Sequence, residues 1–452
     1  MSEAKLTKVG FVSLGCPKNL VDSEVMLGTL SQRGYTITAN QQEADVIVVN
    51  TCGFIDSAKK ESIDTILEMA GLKTAGNCKK LVVAGCLAER YRREIQKEIP
   101  EIDFVFGPDE LGRVLEAVQL DGESIPDISI DSLYTSKEVP TIPRILTTPS
   151  YMAYLKISEG CDHVCSFCAI PGFRGRFRSR PLVDLIAESR RLAAQGVREI
   201  VIVSQDTMAY GKDLGLQDGI TELLRQLARI DELRWVRFLY CYPHSISNDL
   251  IRLVSEEEKL CKYFDIPYQH ASRSVLDGMK RGGSRDIYER QIETIRRLIP
   301  NAGLRTSFIV GFPGETENDF NEVLQFVGNV EFDNVGVFLY SDEEGTGAFD
   351  LAAKVPRRTA IRRRNQLMKQ QSKISKSKLA AMVGQRVEVL LEGVSEESEL
   401  LLKGRMQTQA PDIDGQVLIN DAGDVEPQTG EFYPVEITES LEYDLIGKIC
   451  AR

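Results

Sequence analysis

The sequence predicts an α/β multidomain protein of three consecutive units: an N-terminal parallel α/β sheet, a central incomplete barrel of six β/α units, and a C-terminal OB-like β-barrel. Three observations carry this. Apolar, β-branched runs alternate with amphipathic helical stretches through residues 1–120. A second β/α series begins at Tyr151 and runs to six strands. After Met382 the texture changes to short alternating segments broken by Gly, Pro and Asp. A chain of 452 residues also exceeds one ordinary domain.

In the first unit KVGFVSL (8–14), DVIVVN (45–50), KLVVAG (80–85) and FVFG (104–107) read as strands, with helical stretches such as DSEVMLGTLSQRG between them. The β-α-β-α-β order implies a parallel sheet covered by helices. Residues 121–146 lack periodicity and carry several prolines, which predicts a linker. The second unit, residues 147–378, has candidate strands at YLKIS (154–158), EIVIVS (199–204), RWVRFLY (234–240), YFDIPY (263–268), RTSFIVG (305–311) and NVGVFLY (334–340). Six β/α units without a seventh and eighth predict a partial (β/α)6 barrel. Its last helix, Arg357 to Lys378, holds nine Lys or Arg and no acid. That is either a solvated face closing the unit or a surface for RNA. The third unit, residues 380–452, contains five short strand-like segments, which fits a small barrel.

The chain carries no apolar run long enough to cross a bilayer, and MSEAKLTKVG has no apolar h-region. A cytoplasmic location without a membrane partner is therefore expected. Ten cysteines in a reducing compartment point to metal binding or catalysis rather than disulfides. A net charge of −12 argues against a nonspecific nucleic-acid binder.

SEGCDHVCSFC (158–168) spaces Cys161, Cys165 and Cys168 as C-x3-C-x2-C on one loop after a strand. Three thiolates can hold three irons of a cubane and leave the fourth open to a small molecule. Zinc or inert cysteines are the alternative, although a structural zinc site wants a fourth ligand and His163 is poorly spaced for one. A second trio, Cys16 in SLGCPKN, Cys52 in NTCGF and Cys86 in AGCLAE, recurs at intervals of 36 and 34 residues, each just after a strand. In a parallel sheet those strand ends share one edge, so the thiols can converge there. Three unrelated core cysteines are the alternative. Cys78, Cys241, Cys261 and Cys450 fit no such pattern and read as structural.

Other strand ends of the second unit carry polar or glycine-rich segments. SQDT offers Ser204 and Asp206 to a polar ligand. GFPGE offers Gly311, Pro313, Gly314 and Glu315, with glycines that let backbone approach a ligand, or forms only a turn. His244 and His270 lie in the same layer, as pocket residues or as structural ones.

With both trios the chain resembles, over essentially its whole length, the methylthiotransferase family of radical S-adenosylmethionine enzymes. Phe167 matches the aromatic usually found before the last cysteine of that superfamily's motif, and the C-terminal barrel is similar to the TRAM domain. SLGCPKNLVDSE (13–24) and SEGCDHVCSFCAIPGFRGRFRSR (158–180) resemble the branch acting on a ribosomal protein; the tRNA-modifying branch usually has a Gln-Met-Asn-type sequence where Pro17-Lys18-Asn19 stands here. The resemblance implies two 4Fe-4S clusters, S-adenosylmethionine as source of both methyl group and 5′-deoxyadenosyl radical, and an electron donor such as a flavodoxin or ferredoxin. It implies sulfur insertion and methylation at the β-carbon of an aspartate in small ribosomal-subunit protein twelve, with no catalytic side chains beyond the cluster ligands. A tRNA adenosine methylthiotransferase is the alternative, and a non-catalytic iron–sulfur scaffold a third.

Charge bears on the choice of target. Residues 383–452 hold fifteen Asp or Glu and five Lys or Arg, with Phe432, Tyr433 and Tyr443 the only aromatics. A barrel reading RNA needs a positive groove with stacking aromatics. An acidic barrel fits a basic ribosomal protein, unless the acids serve only solubility.

Overall fold

The protein is described here by a computed structural model covering residues 7–120 and 143–450. Most of the expected linker, 121–142, lies outside the described residues.

The first unit is a five-stranded parallel sheet of β1 (Lys8–Ser13), β2 (Thr36–Thr38), β3 (Val46–Thr51), β4 (Lys80–Gly85) and β5 (Phe104–Phe106), in the order β2-β1-β3-β4-β5. Four of these strands are where hydrophobic periodicity places them. The edge strand β2 is additional: three residues, TIT, are too short to give a pattern. β3 is buried along its whole length, as a central parallel strand covered on both faces must be.

All six expected strands of the second unit form. β6 (Met152–Lys156) is followed by a two-stranded ribbon, β7 (Ser158–Glu159) with β8 (Arg178–Ser179). β9 (Glu199–Val203) and β10 (Trp235–Phe238) complete one parallel half, β10-β9-β6, while β11 (Tyr263–Asp265), β12 (Gly303–Val310) and β13 (Asn334–Leu339) form the other. A parallel bridge between Val236 and Leu260 joins the halves. Outward residues such as Leu155, Ile202, Phe238 and Phe308 pack under the helices in one continuous core. The inward positions include Lys156, Glu199, Arg237 and Asp265, all buried and charged.

The third unit is a closed barrel of β14 (Arg386–Val394), β15 (Leu402–Arg405), β16 (Val417–Asp421), β17 (Phe432–Ser440) and β18 (Leu445–Ile449), in the order β14-β15-β16-β18-β17. It seals the base of the partial barrel. Arg405 pairs with Glu199 and, at 2.6 Å, with Glu392; Arg237 meets the same Glu199 at 3.0 Å. The Tyr263 hydroxyl donates to Asp414 at 2.6 Å, and the Tyr154 hydroxyl to Asp412 at 3.2 Å. The basic helix Arg357–Ala380 buries Ala360, Leu367, Gln371 and Ser375 against the second unit, and Arg362 and Lys378 pair with Glu317 and Asp333. These pairings are those of a helix closing its own domain.

Charge also fixes the first unit to the second. Glu24, on the helix Pro17–Gln32, accepts from Arg144 at 2.6 Å and from the Thr147 amide at 2.7 Å. Gly28 on the same helix has no side chain because a β-carbon there would lie 2.4 Å from the Pro143 carbonyl carbon. Arg144 continues to Glu188 at 2.7 Å, which Arg180 also meets at 2.7 Å.

Burial opposes ionisation of Glu188, but Arg180 and Arg144 outweigh it and hold its carboxyl down to about 2 against an ordinary 4.5. A carboxyl depressed by folding stabilises the protein above its unfolded pKa, and that contribution is lost as pH falls from 4.5 toward 2. Glu188→Gln should lower the urea-unfolding free energy by about 3–5 kcal/mol at pH 7, since it removes the carboxylate that buried Arg180 meets and one of the two that Arg144 meets. The gap to the parent protein should narrow between pH 5 and pH 2. A gap that is constant with pH would show that the charge is not what matters.

Candidate functional site

Cys16, Cys52 and Cys86 follow β1, β3 and β4, which are adjacent in the sheet, so the three thiols gather on one edge. Gly15 and Gly85 turn the chain into Cys16 and Cys86 with φ of 89° and 93°, a conformation that only glycine adopts without strain. At Gly15 a β-carbon would also lie 2.8 Å from Cys52 Cβ. In the second unit the β7–β8 ribbon closes a loop holding Cys161, Cys165 and Cys168, and Gly160 (φ 77°) performs the same turn before Cys161. All six are free thiols. The thiols of each trio are close enough that Cys16 opposes ionisation of Cys52 and Cys86, and Cys165 that of Cys161 and Cys168.

The loop of the second trio is anchored at several points. Ser166 donates to Gly278 O at 2.7 Å, and the Phe177 amide donates to Asp162 at 3.1 Å. His163 bonds Asp206 at 2.7 Å and stacks on Tyr242 at 3.7 Å. Phe167 packs with Met279 and Phe312. Arg281 donates to Cys165 Sγ at 3.6 Å and to Pro267 O at 2.6 Å. Burial, aided by Asp206 and Cys165, pushes Cys161 up to about 11; burial chiefly pushes Cys168 up to about 12.

The first trio has a different electrostatic setting. Arg174, 2% exposed, donates Nε–H to Cys86 Sγ at 3.1 Å, and its other nitrogens meet Asp22 and Glu159 at 2.9 Å each and Asn19 at 3.1 Å. Burial raises the Cys16 thiol, but Lys18, Arg174 and backbone amides outweigh it and leave the group below its ordinary value. For Cys86 burial wins over Arg174, and the thiol rises to about 11. Lys156 completes the cluster, pairing with Asp22 at 2.5 Å and with Glu159. Glu159 also accepts from Gln205 at 2.8 Å, and despite burial Arg174 and Lys156 hold it down to about 2. Arg174 thus bonds one trio directly and reaches the other through Glu159, two residues before Cys161.

The remaining sequence candidates divide. Asp206 is committed to His163 and to the Met208 amide, and buried Ser204 bonds Ser158. Glu315 accepts from the amides of Gly311 and Phe312 and pairs with Arg363 at 3.1 Å, so it shapes the 311–315 loop. A β-carbon on Gly311 would lie 2.6 Å from Ala360 Cβ, so this glycine admits a helix. Pro313 is buried, and Gly314, φ 85°, is exposed with open space where a β-carbon would be. His270 is buried, with Nδ1 accepting from the Ser272 amide at 3.0 Å, while His244 is exposed at the rim. Sequence reasoning missed Lys18, Arg174 and Arg281. Arg174 had one signal, the arginine-rich stretch GFRGRFRSR after the cysteine loop; Lys18 and Arg281 had none.

The donor sets fit iron–sulfur clusters: soft thiolates in threes, on loops preset by glycine, each trio with an arginine aimed at one sulfur. Gln205 Oε1, buried beside Glu159 without a hydrogen-bond partner among the described residues, fits a polar cofactor at the core's strand ends.

Three families match the chain in order: Uncharacterized protein family UPF0004 over residues 8–107, the Radical SAM superfamily over 155–327, and the TRAM domain over 383–450. Similar curated proteins include the ribosomal protein uS12 methylthiotransferase RimO of Koribacter versatilis (strain Ellin345), 50% identical over 99% of this chain and 97% of that protein. The protein of the same name from Solibacter usitatus (strain Ellin6076) is 51% identical over 98% and 95%. Among solved structures, the radical S-adenosylmethionine methyltransferase TsrM of Kitasatospora setae, with cobalamin and a 4Fe-4S cluster bound, superposes with a TM-score of 0.53 over 75% of each chain at 14% identity, a likeness of fold.

Gly15→Val would place branched carbon against Cys52 in a left-handed backbone conformation. Iron and sulfide retained after anaerobic reconstitution should fall to about half, as for two independent sites of equal content, with the far-ultraviolet circular dichroism unchanged. Full iron content in this variant would mean that Cys52 is not a ligand.

Proposed function

We propose that this chain, which belongs to the ribosomal protein uS12 methylthiotransferase family, adds sulfur and methyl to the β-carbon of one aspartate of that ribosomal protein. One observation carries the reading: the side chain of Arg174 bonds Cys86 of one thiol trio and Glu159, two residues before Cys161 of the other, across the domain boundary.

In this reading Cys161, Cys165 and Cys168 hold one 4Fe-4S cluster and Cys16, Cys52 and Cys86 a second. The first, with S-adenosylmethionine, supplies the radical that removes hydrogen from an unactivated carbon. The chain supplies position and shelter. His163, tied to Asp206 and Tyr242, and Ser166, tied to Gly278, fix the first loop. Arg281 and Arg174 donate N–H to one sulfur of each trio. Ser204, Asp206, Gly311, Pro313, Gly314 and Glu315 are assigned to the S-adenosylmethionine side by their position at the ends of β9 and β12. An electron donor such as a flavodoxin or ferredoxin completes the requirement, and the expected setting is the cytoplasm.

Two variants test the division of labour. Replacing Cys161, Cys165 and Cys168 by Ala should remove one cluster and all 5′-deoxyadenosine formation. Replacing Cys16, Cys52 and Cys86 by Ala should keep 5′-deoxyadenosine formation and abolish thiomethylated product on mass spectrometry. Product from the second variant would eliminate the N-terminal trio from the reaction.

The acidic barrel is assigned to recognition of the basic ribosomal protein. Its fifteen acids are not equivalent: Asp412 and Asp414 bond tyrosines of the second unit, and Glu392 holds Arg405, which meets Glu199 there. Glu396, Glu397 and Glu399 are exposed on the β14–β15 hairpin, beside Leu400, which is 89% exposed. Neutralising the three glutamates to Gln should weaken binding of isolated uS12 and flatten its salt dependence, because exposed charges act through a screened field. Binding of tRNA in preference to uS12 would replace this reading with the tRNA one.

A further inference from the structure

Lys18 stands two residues after Cys16, at the start of the helix Pro17–Gln32, and is only 9% exposed. Among the described residues no carboxylate pairs with it, although the other lysine in this layer, Lys156, has two. Its ammonium crosses the domain boundary and lies 3.5 Å from the ring centroid of Tyr240, at the end of β10. An aromatic face offsets part of the cost of a desolvated cation; full compensation needs an anion.

Tyr240 itself is strained, with φ of 62°, a left-handed conformation that is an outlier for a bulky residue. The strain is held from two sides. The Tyr240 amide donates to Asp265 at 3.0 Å, and the Thr207 amide donates to the Tyr240 carbonyl at 3.2 Å. The neighbouring cation, Arg174, is satisfied by Asp22 and Glu159. Among the described residues Lys18 thus has the Tyr240 side chain and the Cys16 thiol as neighbours but no carboxylate, and its ammonium reaches to the second unit.

We infer that Lys18, seated on the Tyr240 ring, is the binding site for the carboxylate of the target side chain. This rests on the function proposed above, since an aspartate reacting at its β-carbon carries its carboxylate one bond from the reacting atom. A cation held at the domain boundary, beside the thiol edge, would position that carbon and prefer Asp over neutral Asn. Lys18 is on this reading a substrate-specificity residue.

The test uses the reconstituted full-length enzyme and purified uS12 carrying either Asp or Asn at the target position, with affinities from fluorescence anisotropy and iron measured in parallel. The parent enzyme should bind the Asp form about tenfold tighter than the Asn form, as expected for one partly buried charge-assisted contact. Lys18→Met should lose that tenfold for the Asp form, leave the Asn form unchanged and keep its iron; Lys18→Arg should recover part of the preference. Equal weakening of both forms, or no weakening, overturns the assignment. So does loss of iron, which would make Lys18 the counter-charge of the Cys16 trio, or loss of sodium sulfide binding with the Asp preference intact, which would make it a site for anionic sulfur. A parent enzyme that binds neither form would instead bring down the proposed function itself.

Discussion

The architecture depends on a charge cluster that no solvent reaches: Asp22 and Arg174 with Lys156 and Glu159, two anions and two cations at the junction of the first two units. Such clusters add little net stability over an apolar contact, because desolvation consumes most of the Coulombic gain. Their value is directional. An apolar interface could slide by an ångström at little cost, whereas Arg174 has one orientation in which it meets Asp22, Glu159, Asn19 and the Cys86 sulfur together. Two domains joined through residues 121–146 need that kind of register if two sites on separate domains are to act on one carbon, where small displacements cost orders of magnitude in rate.

The same logic operates at the other end of the partial barrel. Six strands cannot close, so the interior must be sealed from outside. The C-terminal barrel inserts Arg405 between Glu199 and Glu392 and contributes Asp412 and Asp414 to tyrosines of the base. The N-terminal unit covers the opposite end, where Lys59 and Arg90 both grip Glu343 at 2.8 Å. On β13 Phe338 remains 49% exposed. No helix among the described residues is long and apolar enough to cross a membrane.

Sequence legibility followed the physics of each element. The β/α periodicity of the second unit and the alternation of the third are signals of burial, and all eleven strands read from them are present. The first thiol trio was legible because near-equal spacing along βα units becomes adjacency at a sheet edge, and the second because its three cysteines share one short loop. The helix Pro17–Gln32 was opaque in a specific way. Lys18, Asn19, Asp22, Ser23 and Glu24 look like a solvated face, yet all are buried: Lys18, Asp22 and Glu24 meet the second domain, which the helical period cannot anticipate, and Ser23 bonds Ser13 and Asn50 of its own sheet. The barrel's acids were legible only as a total: a count of charges cannot separate Glu396, which faces water, from Asp414, which is buried against Tyr263.

The two trios finally differ in the charge around them, and that difference fits the division of labour proposed above. Lys18 and Arg174 stand beside the first, whereas Asp162 and Asp206 stand beside the second, with Arg281 its one nearby cation donor. Surrounding charge and hydrogen bonds to sulfur are among the levers that set the potential of an iron–sulfur centre. Cations favour whatever is more negative, so the N-terminal edge is suited to hold an additional anionic ligand. Anions oppose it, so in the function proposed above a cluster held by Cys161, Cys165 and Cys168 would be biased toward giving up an electron, as reductive cleavage of a sulfonium demands. Arg174 lies between the two settings, with its charge divided between a sulfur of the first and the carboxylates that support the second.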